Sequence, residues 1–233
     1  MPMDYFVWLA VSPERTVLID TGFKRDVGDR RGRTTLRAPA DALKLVGVDA
    51  ASIADVILTH GHYDHIGTVS DFPAARLYLH EAELEFITGR SMTNAQTRRS
   101  FEHDDVAQVT RALFEDRLQL LRGSQGLWPG LSVHLVGGHT PGMQVVRVNT
   151  QRGWVVLASD ASHYCENMGT GRPFSTTFDA EAVLAGFRTL PELADSTQHI
   201  IPGHDPEVLR RYPAPSPHLE GAVASLDVPP VEG

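Results

Sequence analysis

With 233 residues, an apolar fraction of 42% and a charged fraction of 21%, the chain has the balance of a folded, enzyme-sized protein rather than a disordered or fibrous one. A net charge of −8 argues against the basic face that a nucleic-acid surface needs, and no apolar run approaches the roughly 18 residues of a membrane span. The single cysteine excludes an intramolecular disulfide framework, and the start Met1-Pro2-Met3-Asp4 lacks the basic and apolar regions of a secretory leader. One domain over residues 1–233, resident in the cytoplasm, is therefore expected.

In chain order, Phe6 to Ala10 and Thr16 to Ile19 predict a hairpin turning on Ser12-Pro13-Glu14. Lys24-Arg25, Arg30-Arg31 and Arg33 form a basic cluster in a Gly- and Asp-containing stretch, which reads as a solvated loop. Pro39 to Val46 predicts a helix with Gly47 as its stop, and Ile53 to Thr59 a buried strand. Arg76 to His80 is a further strand, followed by helices at about 81 to 87 and 104 to 116. The long span at about 81–118 reads as a helical lid over a pocket. Strands follow at Gln119 to Leu121, Ser132 to Val136, Met143 to Val148 and Trp154 to Ser159, then a helix from Asp179 to Leu190, a strand at 199 to 201 and a short helix from Asp205 to Arg211. Pro213, Pro215 and Pro217 mark an extended tail from about 212. Strands grouped around helices, without strict alternation, imply an α+β fold of two mixed sheets with helices outside.

One run carries the chemistry. Directly after Val56-Ile57-Leu58-Thr59 comes His60-Gly61-His62-Tyr63-Asp64-His65, three imidazoles and a carboxylate at the end of a buried strand. A regular helix would bring His60 and Asp64 together but send His62 to the opposite face, so convergence needs a tight turn, with Gly61 as its flexible element. Imidazole and carboxylate donors suit zinc. Three further donors end apolar runs of their own: His139 after Leu131 to Gly138, Asp160 after Trp154 to Ser159, and His204 after His199 to Gly203. Strand-end loops on a rigid scaffold are where binding groups gather.

Together these residues resemble the signature of the metallo-β-lactamase superfamily, His-x-His-x-Asp-His followed by a distant His, Asp and His. The resemblance covers roughly residues 5 to 211 and implies an αββα sandwich of two mixed β-sheets flanked by helices. It implies that His60, His62 and His139 hold one metal, that Asp64, His65 and His204 hold a second, and that Asp160 bridges them. The oxygen-reducing diiron members place an acid where this chain has His62, so two Zn2+ ions are expected, with iron, manganese or cobalt as alternatives. Cys165 is a plain small residue, because Asp160 already fills the bridging place. Asp20-Thr21-Gly22 resembles the turn beneath the metals.

Within the superfamily the chain is similar to the quorum-quenching N-acyl homoserine lactonases. Gly138-His139-Thr140-Pro141-Gly142 and Ile201-Pro202-Gly203-His204-Asp205 resemble two of their loops. Asp160-Ala161-Ser162-His163-Tyr164 resembles the segment whose tyrosine reaches the substrate carbonyl, although Tyr164 follows Asp160 by four residues where three are expected. The resemblance implies a dinuclear zinc hydrolase that opens a lactone by attack of a metal-bridging hydroxide, with Asp64 and Tyr164 as catalytic residues. His163, Met92 and Phe101 are the candidate substrate contacts. Alternatives are a lactonase for another ring such as 4-pyridoxolactone, a thioester hydrolase resembling glyoxalase II that would draw on Arg210 and Arg211, and a non-catalytic metal-binding member. The expected partner is a small-molecule lactone, with neither nucleic acid nor membrane. The family's lactonases carry a segment before their second strand that contributes to a dimer interface, so a homodimer and a shortened start are further expectations.

Overall fold

A computed structural model describes residues 1–231. The chain divides into two compact units, one formed by Phe6–Arg122 and the other by Met1–Tyr5 together with the chain from Gly123 onward. Each unit is built on its own five-stranded mixed sheet with helices beside it.

In the first unit β1 (Trp8–Val11) and β2 (Thr16–Ile19) form the expected antiparallel hairpin. β2, β3 (Asp55–Ile57), β4 (Arg76–His80) and β5 (Leu118–Leu121) then run parallel, in the order β1-β2-β3-β4-β5. The buried patterns of β3 and β4 are near-continuous, as parallel strands covered by helices require. The helix α2 (Pro39–Leu45) starts with proline in its first turn and is followed by Gly47 at φ +75°, the left-handed stop that glycine adopts without a Cβ clash.

One feature of this unit differs from the sequence expectation. The basic cluster contains a helix, α1 (Arg25–Arg30), where a loop was expected; Arg25, Arg30 and Arg33 are solvent-exposed as expected, while Arg30 and Arg31 both pair with Glu102, and the Arg31 guanidinium lies 4.1 Å from the centre of the Tyr63 ring. Gly28 masks the helix in the sequence, yet it is needed there, since a Cβ would stand 2.6 Å from the Phe23 ring. The span expected as a lid holds α4 (Glu81–Thr88), α5 (Ala95–Arg98) and α6 (His103–Phe114). It supplies Leu84, Phe86, Ile87, Phe101, Val109 and Ala112 to the core that also contains Leu18, Val56, Phe72 and Leu77.

The second sheet runs β10-β9-β8-β7-β6. It comprises β6 (Gln125–Trp128), β7 (Leu131–Leu135), β8 (Gln144–Thr150) and β9 (Gly153–Ser159), all antiparallel, closed by β10 (Ile200–Pro202) parallel to β9. Between β9 and β10 lie α7 (Cys165–Thr170), which the sequence reading missed, and α8 (Ala180–Leu193). The Asp179 side chain caps α8 by accepting from the Ala182 N–H at 3.0 Å. Val183, Gly186 and Leu190 form the buried stripe of that helix, and Leu190 joins Met143, Val145, Val156 and Ile200 in the core. After α9 (Glu207–Arg211) the proline-rich tail is pinned rather than simply extended: Ser225 N–H bonds the Pro213 carbonyl at 2.8 Å and Leu219 is buried. Among the described residues no helix is long and apolar enough to cross a membrane.

Asp105 lies on the buried stripe of α6 with Val109 and Ala112, and its Oδ2 has no hydrogen-bond partner among the described residues. Burial pushes its carboxyl from 3.8 up to about 7, with Lys24 opposing and Glu102 and Asp104 reinforcing the rise. Below about pH 4 the folded and unfolded states both hold this proton. Between about 4 and 7 only the folded state keeps it, so stability falls as pH rises across that window and the loss persists above it. Asp105→Asn should therefore raise the melting temperature of chelator-treated protein by several degrees at pH 8 and leave it unchanged at pH 4, as thermal unfolding at the two pH values would reveal.

Candidate metal centre

Each unit gathers a buried cluster of histidine and aspartate. In the first, the chain leaves β3 through Leu58-Thr59 and presents His60, His62, Asp64 and His65, all at least nine-tenths buried. The tight turn expected here covers only residues 60 to 62; Tyr63–Ile66 then form the one-turn helix α3. The His60 ring lies 4.6 Å from that of His62 and 4.1 Å from that of His65, and Asp64 Oδ2 is 3.8 Å from His65 Nε2. Gly61 serves close approach rather than a special φ. Its N–H donates to Glu83 Oε1 at 2.8 Å, and a Cβ would stand 2.7 Å from the Ile87 side chain on α4.

Asp20 organises this loop from beneath. It is fully buried at the end of β2 with φ +60°. Its Oδ1 accepts from the Thr59 N–H at 2.7 Å, while its Oδ2 accepts from Thr59 Oγ1 and from His65 Nδ1, each at 2.8 Å. With Nδ1–H held by a carboxylate, His65 presents the lone pair of Nε2, the tautomer a metal ligand requires.

In the second unit three loops converge on Asp160. Gly138, at φ +86° with no room for a Cβ beside Val183, sets the turn into His139. Ser159, in the left-handed region at φ +46°, turns the end of β9 so that Asp160 leaves the sheet. Gly203 lets the loop after β10 come close, since a Cβ there would be 2.7 Å from the Ser159 carbonyl group. Asp160 Oδ2 then lies 3.0 Å from His139 Nε2 and 3.0 Å from His163 Nε2, while Oδ1 lies 2.9 Å from His204 Nε2. His204 is oriented from behind, its Nδ1 being 2.7 Å from the Asp4 carbonyl.

The other sequence candidates fall as follows. His163 is buried and stacks on Phe174 at 3.9 Å with the rings 19° from parallel. Burial pushes its imidazole down to about 4, with Asp160 opposing the shift, so the ring is neutral at pH 7. Tyr164 donates its hydroxyl to the Pro2 carbonyl at 3.1 Å and stands at the start of α7. Phe101 is buried, with its ring 4.7 Å from His62, and Met92 packs against the same core. Cys165 opens α7, where its N–H donates to Asp205 Oδ2 at 3.0 Å and burial raises its thiol pKa.

Sequence reasoning missed Glu83 and Phe174. Glu83 carried a signal: it shares the apolar face of α4 with Phe86 and Ile87, where a lone carboxylate needs a partner. Phe174 carried none.

The donors are imidazole and carboxylate with no thiolate, and one ligand atom from each of Asp160, His163 and His204 lies within 4.8 Å of the others. That chemistry fits a borderline divalent cation such as zinc. Residues 2–209 match the model of the metallo-beta-lactamase superfamily. The chain belongs to that superfamily. Among similar members, an N-acyl homoserine lactonase of Bacillus sp is 26% identical over 223 residues, 88% of this chain and 83% of the relative. A quorum-quenching N-acyl homoserine lactone lactonase of known crystal structure superposes with a TM-score of 0.73 at 25% identity, covering 88% of this chain and 81% of the other. AidC, a dizinc quorum-quenching lactonase, gives 0.67 at 22% identity over 88% and 73% of the two chains and shares the fold. The two five-stranded mixed sheets with flanking helices are thus the metallo-beta-lactamase fold.

In a superfamily member built this way, Asp20→Asn tests the orienting role of the buried carboxylate. Asparagine tolerates the left-handed backbone. Its Oδ1 still serves Thr59, but its amide donates toward His65 Nδ1 and drives the proton to Nε2. Metal affinity should fall about 10- to 100-fold. Chelator competition would register the loss, with circular dichroism unchanged.

Proposed function

We propose that the chain is a metal-dependent hydrolase with a dinuclear zinc centre, opening lactones, with N-acyl homoserine lactones as its substrate class. In this reading His60, His62 and His139 would hold one ion, Asp64, His65 and His204 the other, and Asp160 would serve both. The observation that carries it is the complete, buried set of these donors in a chain that aligns with an N-acyl homoserine lactonase over most of both lengths. The lactonase relatives supply the substrate class, and the donor chemistry supplies the reaction type.

Bound there, two such ions would polarise the ester carbonyl and lower the pKa of water to about 7, making hydroxide available at neutral pH. The residues around them do the rest. Asp160 and the imidazoles fix the approach to the carbonyl, and Asp20 and Glu83 keep the ligand loop from rearranging during turnover. Asp64 carries the proton of the attacking water to the departing ring oxygen. One water adds across the ester C–O bond; the product is a hydroxy acid that ionises and releases a proton. Phe101 and Met92 are the apolar candidates for an acyl chain. Of Arg210 and Arg211, the cations that a thioester reading would draw on, Arg210 is already paired with Glu207.

Zinc-loaded protein should therefore open short- and long-chain N-acyl homoserine lactones with release of acid, and a chelator should abolish the reaction. A thioester, a β-lactam and 4-pyridoxolactone assayed beside them separate the alternatives. Turnover of one of these alone would move the substrate, and bound zinc with no ester opened would favour a non-catalytic member. Asp64→Asn should lose more than about 10²-fold in kcat/KM, and near-normal turnover in that variant would refute its role as proton carrier.

A further inference from the structure

The second unit offers one imidazole more than the superfamily signature uses. His163 lies outside the His-x-His-x-Asp-His, His, Asp, His pattern. Even so, its Nε2 stands as close to Asp160 Oδ2 as does the Nε2 of the signature residue His139, each at 3.0 Å. Its ring centre is 4.9 Å from that of His139 and 5.2 Å from that of His204. The side chain is aimed, not incidental. The Phe174 ring stacks on one face of the imidazole, and the His163 carbonyl accepts the His204 N–H at 2.9 Å, so the two histidines share one backbone link. Tyr164, next along the chain, gives its hydroxyl to the Pro2 carbonyl, which leaves His163 as the side chain of this segment that faces the carboxylate.

A buried imidazole nitrogen in contact with a carboxylate has two common uses. It can donate its N–H to the carboxylate, or it can offer a lone pair to a cation that the carboxylate shares. Asp160 already meets His139 and His204, so three imidazole nitrogens crowd the two oxygens of one carboxylate. Shared donation to a cation satisfies all three nitrogens and both oxygens together.

We propose that His163 is an additional metal ligand, so that this chain holds its cation pair with six imidazoles rather than the five of His60, His62, His65, His139 and His204. The proposal rests on the metal-holding part of the reading above and is independent of which ester is the substrate. A sixth imidazole fills a coordination position that would otherwise be open to water or substrate. It therefore predicts tighter metal retention than the five histidines alone would give.

The test reads the metal directly. Full-length protein labelled with 15N in its histidines is loaded with 113Cd2+, and metal-to-nitrogen scalar coupling is recorded on the ring nitrogens. Coupling on six imidazoles, with one signal lost in His163→Gln, supports the proposal, as does a drop of about 10-fold or more in zinc affinity for His163→Phe, which keeps the stack on Phe174. Tyr164→Phe should leave both readouts as in the parent protein. Coupling on five imidazoles in the parent protein overturns the ligand assignment while leaving the dinuclear reading standing, and this result needs no variant to fold. Unchanged zinc affinity in His163→Phe alongside reduced lactone turnover also overturns it and makes the ring a substrate contact. Failure of the parent protein to retain cadmium or zinc would remove the dinuclear reading and the proposal together.

Discussion

The first unit depends on what happens around the Asp20 carboxylate. A fully buried acid at a left-handed backbone position is costly on both counts, and it persists because three donors reach it at once. Those donors come from the end of β3 and from α3, so one side chain ties the tip of β2 to its neighbouring strand and to the ligand loop. The same bond that relieves the acid fixes the proton on His65 Nδ1. Folding and ligand preparation are in this way a single event, and the loop reaches its working tautomer without help from a cation.

The second unit solves the matching problem with backbone rather than with a buried acid beneath the loop. Gly138, Ser159 and Gly203 provide the sharp departures and close approach that bring three separate loops to Asp160. A carbonyl near the start of the chain, that of Asp4, holds His204 from behind. The two clusters are comparably buried, but one is rigidified by side-chain bonds to a carboxylate and the other by steric constraint. They should therefore respond differently to substitution: the first to loss of the Asp20 charge, the second to a Cβ at Gly138 or Gly203.

Much of this was legible in the sequence because ligand chemistry leaves little choice of residue. His60, His62, Asp64 and His65 announce themselves by type and spacing, and the strands that carry His139, Asp160 and His204 are apolar runs that a buried sheet demands. The elements that escaped are those whose patterns are set by distant partners. Gly28 and the basic cluster around it disguise α1, whose purpose is visible only once Glu102 and Phe23 are beside it. Gln125-Gly126-Leu127-Trp128 shows no alternation, and becomes β6 because β7 pairs with it, with a register shift between Gly126 and Trp128. The direction of Tyr164 could not be read at all, since its partner Pro2 is 162 positions away.

That last contact, with the bond from His204 to Asp4 that spans 200 positions, bears on how the chain is made. The residues of Phe6–Arg122 form a unit from a continuous stretch and can acquire their structure while the ribosome is still at work. The other unit cannot be finished in that order: residues 1–5 are made before the first unit and must wait for the loop after β10 to emerge. Long-range closure of this kind is entropically slow, so assembly of the His204 side should be the late step in biogenesis.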